Sequence, residues 1–291
     1  MLHRGGHAAK FSFMMIARTL LELHAGCASL RARHGALALV PTMGALHDGH
    51  RALVHAAVAS SAGVITSIFV NPLQFGANED LSRYPRDEAG DLAALEACGC
   101  HLAWLPDLPV IYPADDATTI VVTGPAERWE GEARPGHFRG VATVCAKLFG
   151  QVRPDQAYFG EKDWQQVQVV RRMVTDLHLP LAIVGVPTVR EPDGLALSSR
   201  NRFLTNEDRK RAPRLHAVLD ATSRALAAGD AADRVIADAG NYLTQAGFAL
   251  DYLALVDGPT LAPLPAVRSG SRLITAARLG AVRLIDNVAV A

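Results

Sequence analysis

Apolar runs and segments of helical periodicity alternate along the first two thirds of the chain. The apolar runs are short, and the one at Val64 to Val70 is also rich in β-branched residues; such runs are typical of buried parallel strands. They lie at Ala36 to Val40, Val64 to Val70, His101 to Leu105, Asp155 to Phe159 and Leu181 to Val189. The helical segments lie at Arg51 to Ser61, Asp87 to Ala97, Gly140 to Gln151 and Trp164 to Leu177. This alternation predicts an α/β fold, a Rossmann-like, doubly wound parallel sheet with helices on both faces.

The last third has a different pattern, in which helices come first and short strands follow. It predicts one long helix over Asn206 to Ala228, a helix over Ala231 to Gln245, and strands at Ala249 to Val256, Arg272 to Ala277 and Val282 to Asp286. A turn-forming stretch, EPDG, lies at residues 191–194. We therefore expect an α/β domain over 14–195 and a smaller C-terminal α+β lid domain over 196–291. Residues 1–13 are basic, and their apolar stretch is short and interrupted by charged residues, so we expect a disordered extension there.

Composition narrows the class of protein. The 29 Lys and Arg residues balance 29 Asp and Glu residues, which argues against a globally basic binder of nucleic acid or of membrane surfaces. No apolar run approaches the ~18 residues that a membrane helix needs. Four cysteines in 291 residues are typical of reduced thiols in a cytosolic protein. We expect a cytoplasmic protein with no nucleic-acid or membrane partner.

The first strand leads into the segment PTMGALHDGH, at residues 41–50. In an open α/β sheet, ligands bind at the carboxyl ends of the strands. His47 and His50 are three residues apart at the start of a predicted helix, so their rings can face the same way. A helix N-terminus with free N–H groups and two imidazoles favours a phosphate, and a histidine there can donate a hydrogen bond or a proton to it. An ordinary polar loop is the alternative.

Other polar segments follow predicted strands or the domain boundary. Asn71 and Gln74 offer neutral donors and acceptors that suit a hydroxyl or carboxylate, although a polar turn is the better explanation of this segment taken alone. The segment GEKDWQQ contains Lys162, whose mobile charge suits phosphate. The alternative is a segment that caps a helix. LSSRN at 197–201 forms either an anion clamp or a helix cap. The acidic side chains of Asp87 to Asp91 are typical of an exposed helix face, and we assign no magnesium ligand.

These segments together resemble the pantoate–β-alanine ligase family over nearly the whole chain after Phe13. The matching segments are PTMGALHDGH, SIFVNPLQF, YPR, RPGHFRGV, YFGEKDWQQ, GVPTVREPDGLALSSRN and RLIDN at 283–287. PTMGALHDGH and LSSRN also resemble the HIGH and KMSKS motifs of a wider nucleotidyltransferase superfamily. Trp164 stands where the family commonly has Phe or Tyr.

The resemblance implies a ligase that joins pantoate to β-alanine, with ATP and Mg²⁺, through a pantoyl adenylate. It implies that His50, His47, Lys162 and Arg200 act in catalysis, His50 as proton donor. ATP contacts are implied for Met43, Gly44, Ala45, Leu46, His47, Asp48, Gly49, His50, Gly160, Glu161, Lys162, Asp163, Val189, Leu197, Ser198, Ser199 and Arg200. Gln74, Gln166 and Asn71 are implied to bind pantoate, with Gln74 also near β-alanine. A homodimer is implied as well.

Two other functions stay open from the residues. One is a nucleotidyltransferase that adenylates a phosphate monoester, although neutral Gln74, Gln166 and Asn71 suit a hydroxy acid better than a dianion. The other is a nucleotide sensor without turnover, which the presence of His47, His50, Lys162 and Arg200 disfavours.

Overall fold

A computed structural model describes residues 14–76 and 81–290. The expected N-terminal extension, residues 1–13, lies outside the described residues. None of the helices within those two ranges is both long enough and apolar enough to cross a membrane.

Six parallel strands form the main sheet, which confirms the predicted α/β architecture. The strands are β1 (Met15–Ala17), β2 (Leu37–Thr42), β3 (Gly63–Ile68), β4 (Leu102–Trp104), β5 (Gln156–Gly160) and β6 (Ala182–Val186), in the order β1-β4-β3-β2-β5-β6. The chain extends the sheet in one direction from β2 through β3 to β4, and in the other direction from β5 to β6. The order therefore reverses between β2 and β5, and this switch point is where doubly wound sheets bind ligands.

Helices cover both faces of this sheet. They are α1 (Leu20–His34), α2 (Asp48–Ala59), α3 (Glu88–Ala97), α4 (Leu108–Ile111), α5 (Glu130–Ala133), α6 (His137–Val152) and α7 (Trp164–Asp176). Alternate residues of β2 belong to different cores: Leu37 and Leu39 pack with α1 and α6, whereas Ala38 and Val40 pack with α2 and α3. A sheet buried on both faces explains why its strands are continuous apolar runs.

The register of β2 opens a crevice at the switch point. β2 pairs with β3 along its whole length, from Leu37↔Gly63 to Thr42↔Ile68. It pairs with β5 only at Ala38↔Gln156 and Leu39↔Ala157. Beyond Leu39 the two strands separate, and the space between their carboxyl ends is left for side chains and a ligand.

The rest of the chain forms a second unit around an antiparallel sheet, as expected for the α+β region. It contains α8 (Asn206–Arg211), α9 (Arg214–Ala227), α10 (Ala232–Gln245), β7 (Ala249–Asp257), β8 (Ser271–Leu279) and β9 (Val282–Ala289), with the sheet order β7-β8-β9. The prediction of a single helix over Asn206 to Ala228 is wrong. The structure has two helices there, and they are divided at Pro213, which has no N–H to continue the hydrogen-bond ladder.

Candidate active site

The loop after β2 delivers two histidines to the N-terminus of α2. His47 caps the helix, because its Nδ1 accepts a hydrogen bond from the backbone N–H of Gly49 at 3.1 Å. The Nδ1 of His50 accepts from the N–H of His47 at 3.3 Å, and the two rings stack with centroids 4.0 Å apart. Since Nδ1 is an acceptor in both rings, each neutral ring carries its proton on Nε2.

Both imidazoles are held in the neutral form. Burial lowers the pKa of His47 to about 4, with the positive charge of Lys162 adding to the effect. Burial lowers the pKa of His50 to about 3, with His47 and Lys162 contributing. In the free protein at neutral pH the two rings are therefore donors of Nε2–H hydrogen bonds, and the cationic charge beside them comes from Lys162.

Asp91 anchors the histidine loop from α3, contrary to the expectation of an exposed face. Its carboxylate is only 4% exposed and accepts the backbone N–H groups of Ala45, at 2.9 Å, and Leu46, at 2.7 Å. Burial raises the pKa of Asp91 in spite of these two donors. Gly44 has φ +80°, and a Cβ there would lie 2.8 Å from the Asp91 carboxylate, so the loop requires glycine at this position.

The segment after β3 supplies Gln74, and Asn71 fixes it. The Nδ2 of Asn71 donates to Gln74 Oε1 at 3.0 Å and to the carbonyl of Gly140 at 3.1 Å. Its Oδ1 accepts from the hydroxyl of Tyr112 at 2.8 Å and from the N–H of Leu73 at 3.3 Å. Asn71 is 1% exposed, and these four contacts use its amide fully within the fold.

The backbone of Gln74 is held from the RPGHFRG segment. The carbonyl of Gln74 accepts from His137 Nδ1 at 2.8 Å and from Arg134 Nη2 at 3.3 Å. Arg134 Nη1 lies 3.1 Å from His137 Nε2, and an arginine can only donate. His137 is therefore neutral, with its proton on Nδ1. The sequence analysis named these two residues only within the matching segment RPGHFRGV.

The short helical turn Glu161–Asp163 follows β5 on the other side of the crevice. Lys162 Nζ lies 4.0 Å from the carboxylate of Asp163, and its side chain is 20% exposed. Gln166 is on the first turn of α7, facing the same cavity. Glu161 points instead to Arg272 of β8, with an N–O distance of 3.3 Å.

The LSSRN segment closes the third side of the crevice. The N–H of Leu197 donates to the carbonyl of Val189 at 3.0 Å, which joins this segment to the chain after β6. Ser198 accepts from the N–H of Arg200 and starts a 3₁₀ helix over Ser199–Phe203. Ser198 thus caps this 3₁₀ helix while it also borders the cavity, whereas the helix at Asn206, which the cap interpretation concerned, is capped by Thr205.

A cavity of about 230 Å³ brings most of the predicted residues together. Its lining includes Met43, His47, Gly49, His50, Asn71, Gln74, Gly160, Lys162, Asp163, Gln166, Val189, Leu197, Ser198, Ser199 and Arg200. Five others do not line it: Gly44, Ala45, Leu46, Asp48 and Glu161. An adjoining cleft of about 720 Å³ shares Lys162 and Arg200 and extends to β9.

The site has the composition of a phosphate- and carboxylate-binding centre. Its lining combines a helix N-terminus, two Nε2–H donors, Lys162 and the LSSRN segment with neutral amides. In the parts of the chain that the structure describes, no three His, Cys, Asp or Glu side chains cluster to hold a metal ion.

Comparison with known proteins agrees with this geometry. A family model described as pantoate-beta-alanine ligase matches residues 15–289. The pantothenate synthetase of Acidiphilium cryptum is 57% identical over 281 residues, covering 95% of this chain and all of the relative. That of Granulibacter bethesdensis is 56% identical over 277 residues, covering 94% and 96%.

Solved structures agree in fold as well. Pantothenate synthetase from Thermus thermophilus has a TM-score of 0.90 at 48% identity and covers 95% of this chain and 99% of that one. Pantoate-beta-alanine ligase from Francisella tularensis, complexed with beta-gamma ATP and beta-alanine, has a TM-score of 0.80 at 34% identity, with 95% and 97% covered. The resemblance read from the motifs is confirmed: the chain belongs to the pantoate–β-alanine ligase family and is a ligase of pantothenate biosynthesis.

Proposed function

We propose that the ligase activates the carboxylate of pantoate with ATP, as pantoyl adenylate, and then transfers the pantoyl group to β-alanine. One observation carries this proposal: a single cavity at the switch point is lined both by the phosphate-binding groups His47, His50 and Lys162 and by the neutral amides of Gln74 and Gln166. The complex of the Francisella tularensis relative with a beta-gamma ATP compound and β-alanine supports the choice of substrates.

In the first step a carboxylate oxygen of pantoate attacks the α-phosphorus of ATP, and the bond to diphosphate breaks. Negative charge gathers on the phosphate oxygens in the transition state, so prearranged donors accelerate the step. His47 and His50 present Nε2–H groups at the helix N-terminus, and Lys162 and Arg200 supply positive charge. His50 then acts as a neutral hydrogen-bond donor whose proton is drawn towards the phosphate as charge develops.

In the second step the amine of β-alanine attacks the acyl carbon and AMP leaves with the carboxylate oxygen. Neither step needs a covalent bond to the protein, which agrees with the burial of all four cysteines as free thiols. The amides of Gln74 and Gln166 hold pantoate, and Gln166 makes no hydrogen bond within the described residues that would occupy its amide. Asn71 acts through Gln74, because its own amide is already fully bonded.

The remaining contacts place the nucleotide. The backbone of Val189 binds adenine, and residues Leu197 to Arg200 close on the phosphates. ATP is bordered by the cavity-lining residues of the loop after β2 and of the turn after β5, which are Met43, His47, Gly49, Gly160, Lys162 and Asp163. Mg²⁺ would come with ATP and would offset part of the negative charge of the phosphate groups, since the described residues offer no cluster of three His, Cys, Asp or Glu side chains to hold the ion. We further propose a cytoplasmic location, on the grounds of the sparse cysteines, and a homodimer, as the family resemblance implies; light scattering that gives the monomer mass would contradict the homodimer.

The test is to incubate the protein with Mg·ATP and pantoate, with and without β-alanine, and to quantify nucleotides and pantothenate. We expect AMP, diphosphate and pantothenate in equal amounts when all substrates are present. Without β-alanine we expect diphosphate release limited to about one equivalent per site. Release of ADP, or a dinucleotide product without an amide, would contradict the adenylate route, and binding without turnover would favour a sensor.

A further inference from the structure

The terminal motif RLIDN, which no substrate contact explains, lies on β9 and connects the second unit to the first. Arg283 binds the buried carboxylate of Glu130 at 2.7 Å. Asp286 makes a two-point ion pair with Arg190, at 2.6 and 2.8 Å. Asn287 reaches the turn that carries Lys162. Each polar side chain of the motif therefore contacts a different segment around the cavity.

Asn287 holds the two peptide groups on either side of Lys162. Its Nδ2 donates to the carbonyl of Glu161 at 2.9 Å and to the carbonyl of Lys162 at 2.9 Å. These carbonyls belong to the peptide planes that precede and follow the Lys162 Cα, so their positions fix its backbone angles. Asn287 is only 5% exposed, which shields both bonds from competition by water.

The amide of Asn287 is itself oriented by β8. Its Oδ1 accepts from Arg272 Nε at 2.6 Å, so Nδ2 must face the turn. The guanidinium of Arg272 lies 3.6 Å from the centre of the Trp164 ring and 3.3 Å from the carboxylate of Glu161. Arg272 thus contacts residues before and after Lys162, so side chains of β8 and β9 together hold the turn that carries Lys162.

We propose that Asn287 is a positioning residue for catalysis, which holds Lys162 at the phosphate end of the cavity from the second unit. The inference rests on the proposed role of Lys162 at the phosphates. Lys162 has a flexible four-carbon side chain and no close ion pair within the described residues apart from Asp163 at 4.0 Å. The position that its ammonium group can take therefore depends on where its backbone is held, and a shift of about 1 Å in a reacting group can cost about 100-fold in rate.

Asn287→Asp is the sharpest variant, because it keeps the shape and the acceptor for Arg272 but replaces both donated hydrogen bonds. Asn287→Ala removes the same bonds without adding a charge, and provides a second measurement. Thr275→Val is the matched control: it removes one buried hydrogen bond, to the carbonyl of Tyr252 at 2.9 Å, from the same sheet. All are compared by diphosphate release in a single turnover and by thermal unfolding.

We expect both Asn287 variants to lower the rate of adenylate formation by about 30- to 100-fold, with a KM for pantoate within about 3-fold of wild type. Thr275→Val keeps the wild-type rate. In a Lys162→Ala background we expect Asn287→Ala to lower the remaining rate by less than about 3-fold, because the group it positions is gone.

The other outcomes contradict either this inference or the proposed role of Lys162. Asn287 variants with the wild-type rate, or with the same loss in the presence and absence of the Lys162 side chain, overturn the inference and leave Asn287 as a purely structural residue. A Lys162→Ala protein with the wild-type rate instead overturns the proposed role of Lys162, whatever Asn287 does.

Discussion

Because His47 and His50 are neutral in the folded protein, the stability of the fold depends on pH. The variant His50→Gln removes the contribution of His50 and leaves that of His47. The unfolded chain protonates a histidine near pH 6.5, whereas the folded protein does so near pH 3 at His50 and near pH 4 at His47. A depressed pKa means that the unfolded state binds the proton first. Stability is therefore complete above about pH 6.5 and falls as the pH is lowered towards 3.

The size of the effect follows from the His50 shift. Between pH 7 and pH 5 only the unfolded state becomes protonated at this site, which lowers the free energy of unfolding by about 2 kcal/mol. Glutamine can still accept the hydrogen bond from the N–H of His47 but does not titrate. We expect wild type to lose about 2 kcal/mol more than His50→Gln over this interval.

The assay is urea unfolding at pH 7 and pH 5, followed by circular dichroism, with the free energies obtained by linear extrapolation. His55→Gln is the control, because His55 is on the same helix, α2, but is exposed. It should lose as much stability on acidification as wild type. Equal losses in wild type and His50→Gln would refute the reasoning that burial keeps His50 neutral.

Three further variants test the site. His50→Ala should lower the rate of adenylate formation by about 100-fold or more while the protein stays folded, measured by single-turnover diphosphate release; a wild-type rate would remove His50 from the mechanism. Lys162→Ala should lower kcat by about 100- to 1000-fold in steady-state AMP release, and unchanged kcat would contradict its role at the phosphates. Asp91→Asn places an amide N–H₂ opposite one of the two backbone N–H groups that the carboxylate binds, so the loop becomes less rigid and the KM for ATP should rise about 10-fold. Glu96→Gln is its control, because Glu96 is exposed on the same helix, and it should not change that KM.

Local pattern predicted five of the six strands of the main sheet, because strands buried on both faces are continuous apolar runs, but it missed the short strand β1. The first helix, α1, was absent from the predicted elements although its signal is local: Thr19 and Glu22 form a capping box, with Glu22 bonded to the N–H of Thr19 at 3.0 Å. Pro213 was an equally local signal for the division of the predicted long helix. Both features were available from the sequence.

Tertiary contacts account for what local pattern could not supply. Asp91 looks like any acid on a helix face until α3 packs beside the loop after β2. Asn287 lies 125 residues from Lys162, and only the packing of the two sheets places them together. The neutral state of His50 depends on burial, which a spacing of three residues does not reveal. Most of the residues that line the cavity were predictable from the sequence, whereas their supports and charge states were not.

The most direct test of the adenylate route is the fate of the pantoate carboxylate oxygens. The protein is given Mg·ATP, β-alanine and pantoate labelled with ¹⁸O in the carboxylate, and the products are analysed by mass spectrometry. If the carboxylate attacks the α-phosphorus, one labelled oxygen per turnover appears in AMP and none in diphosphate. Label in inorganic phosphate, together with release of ADP, would show an acyl phosphate instead and contradict the account.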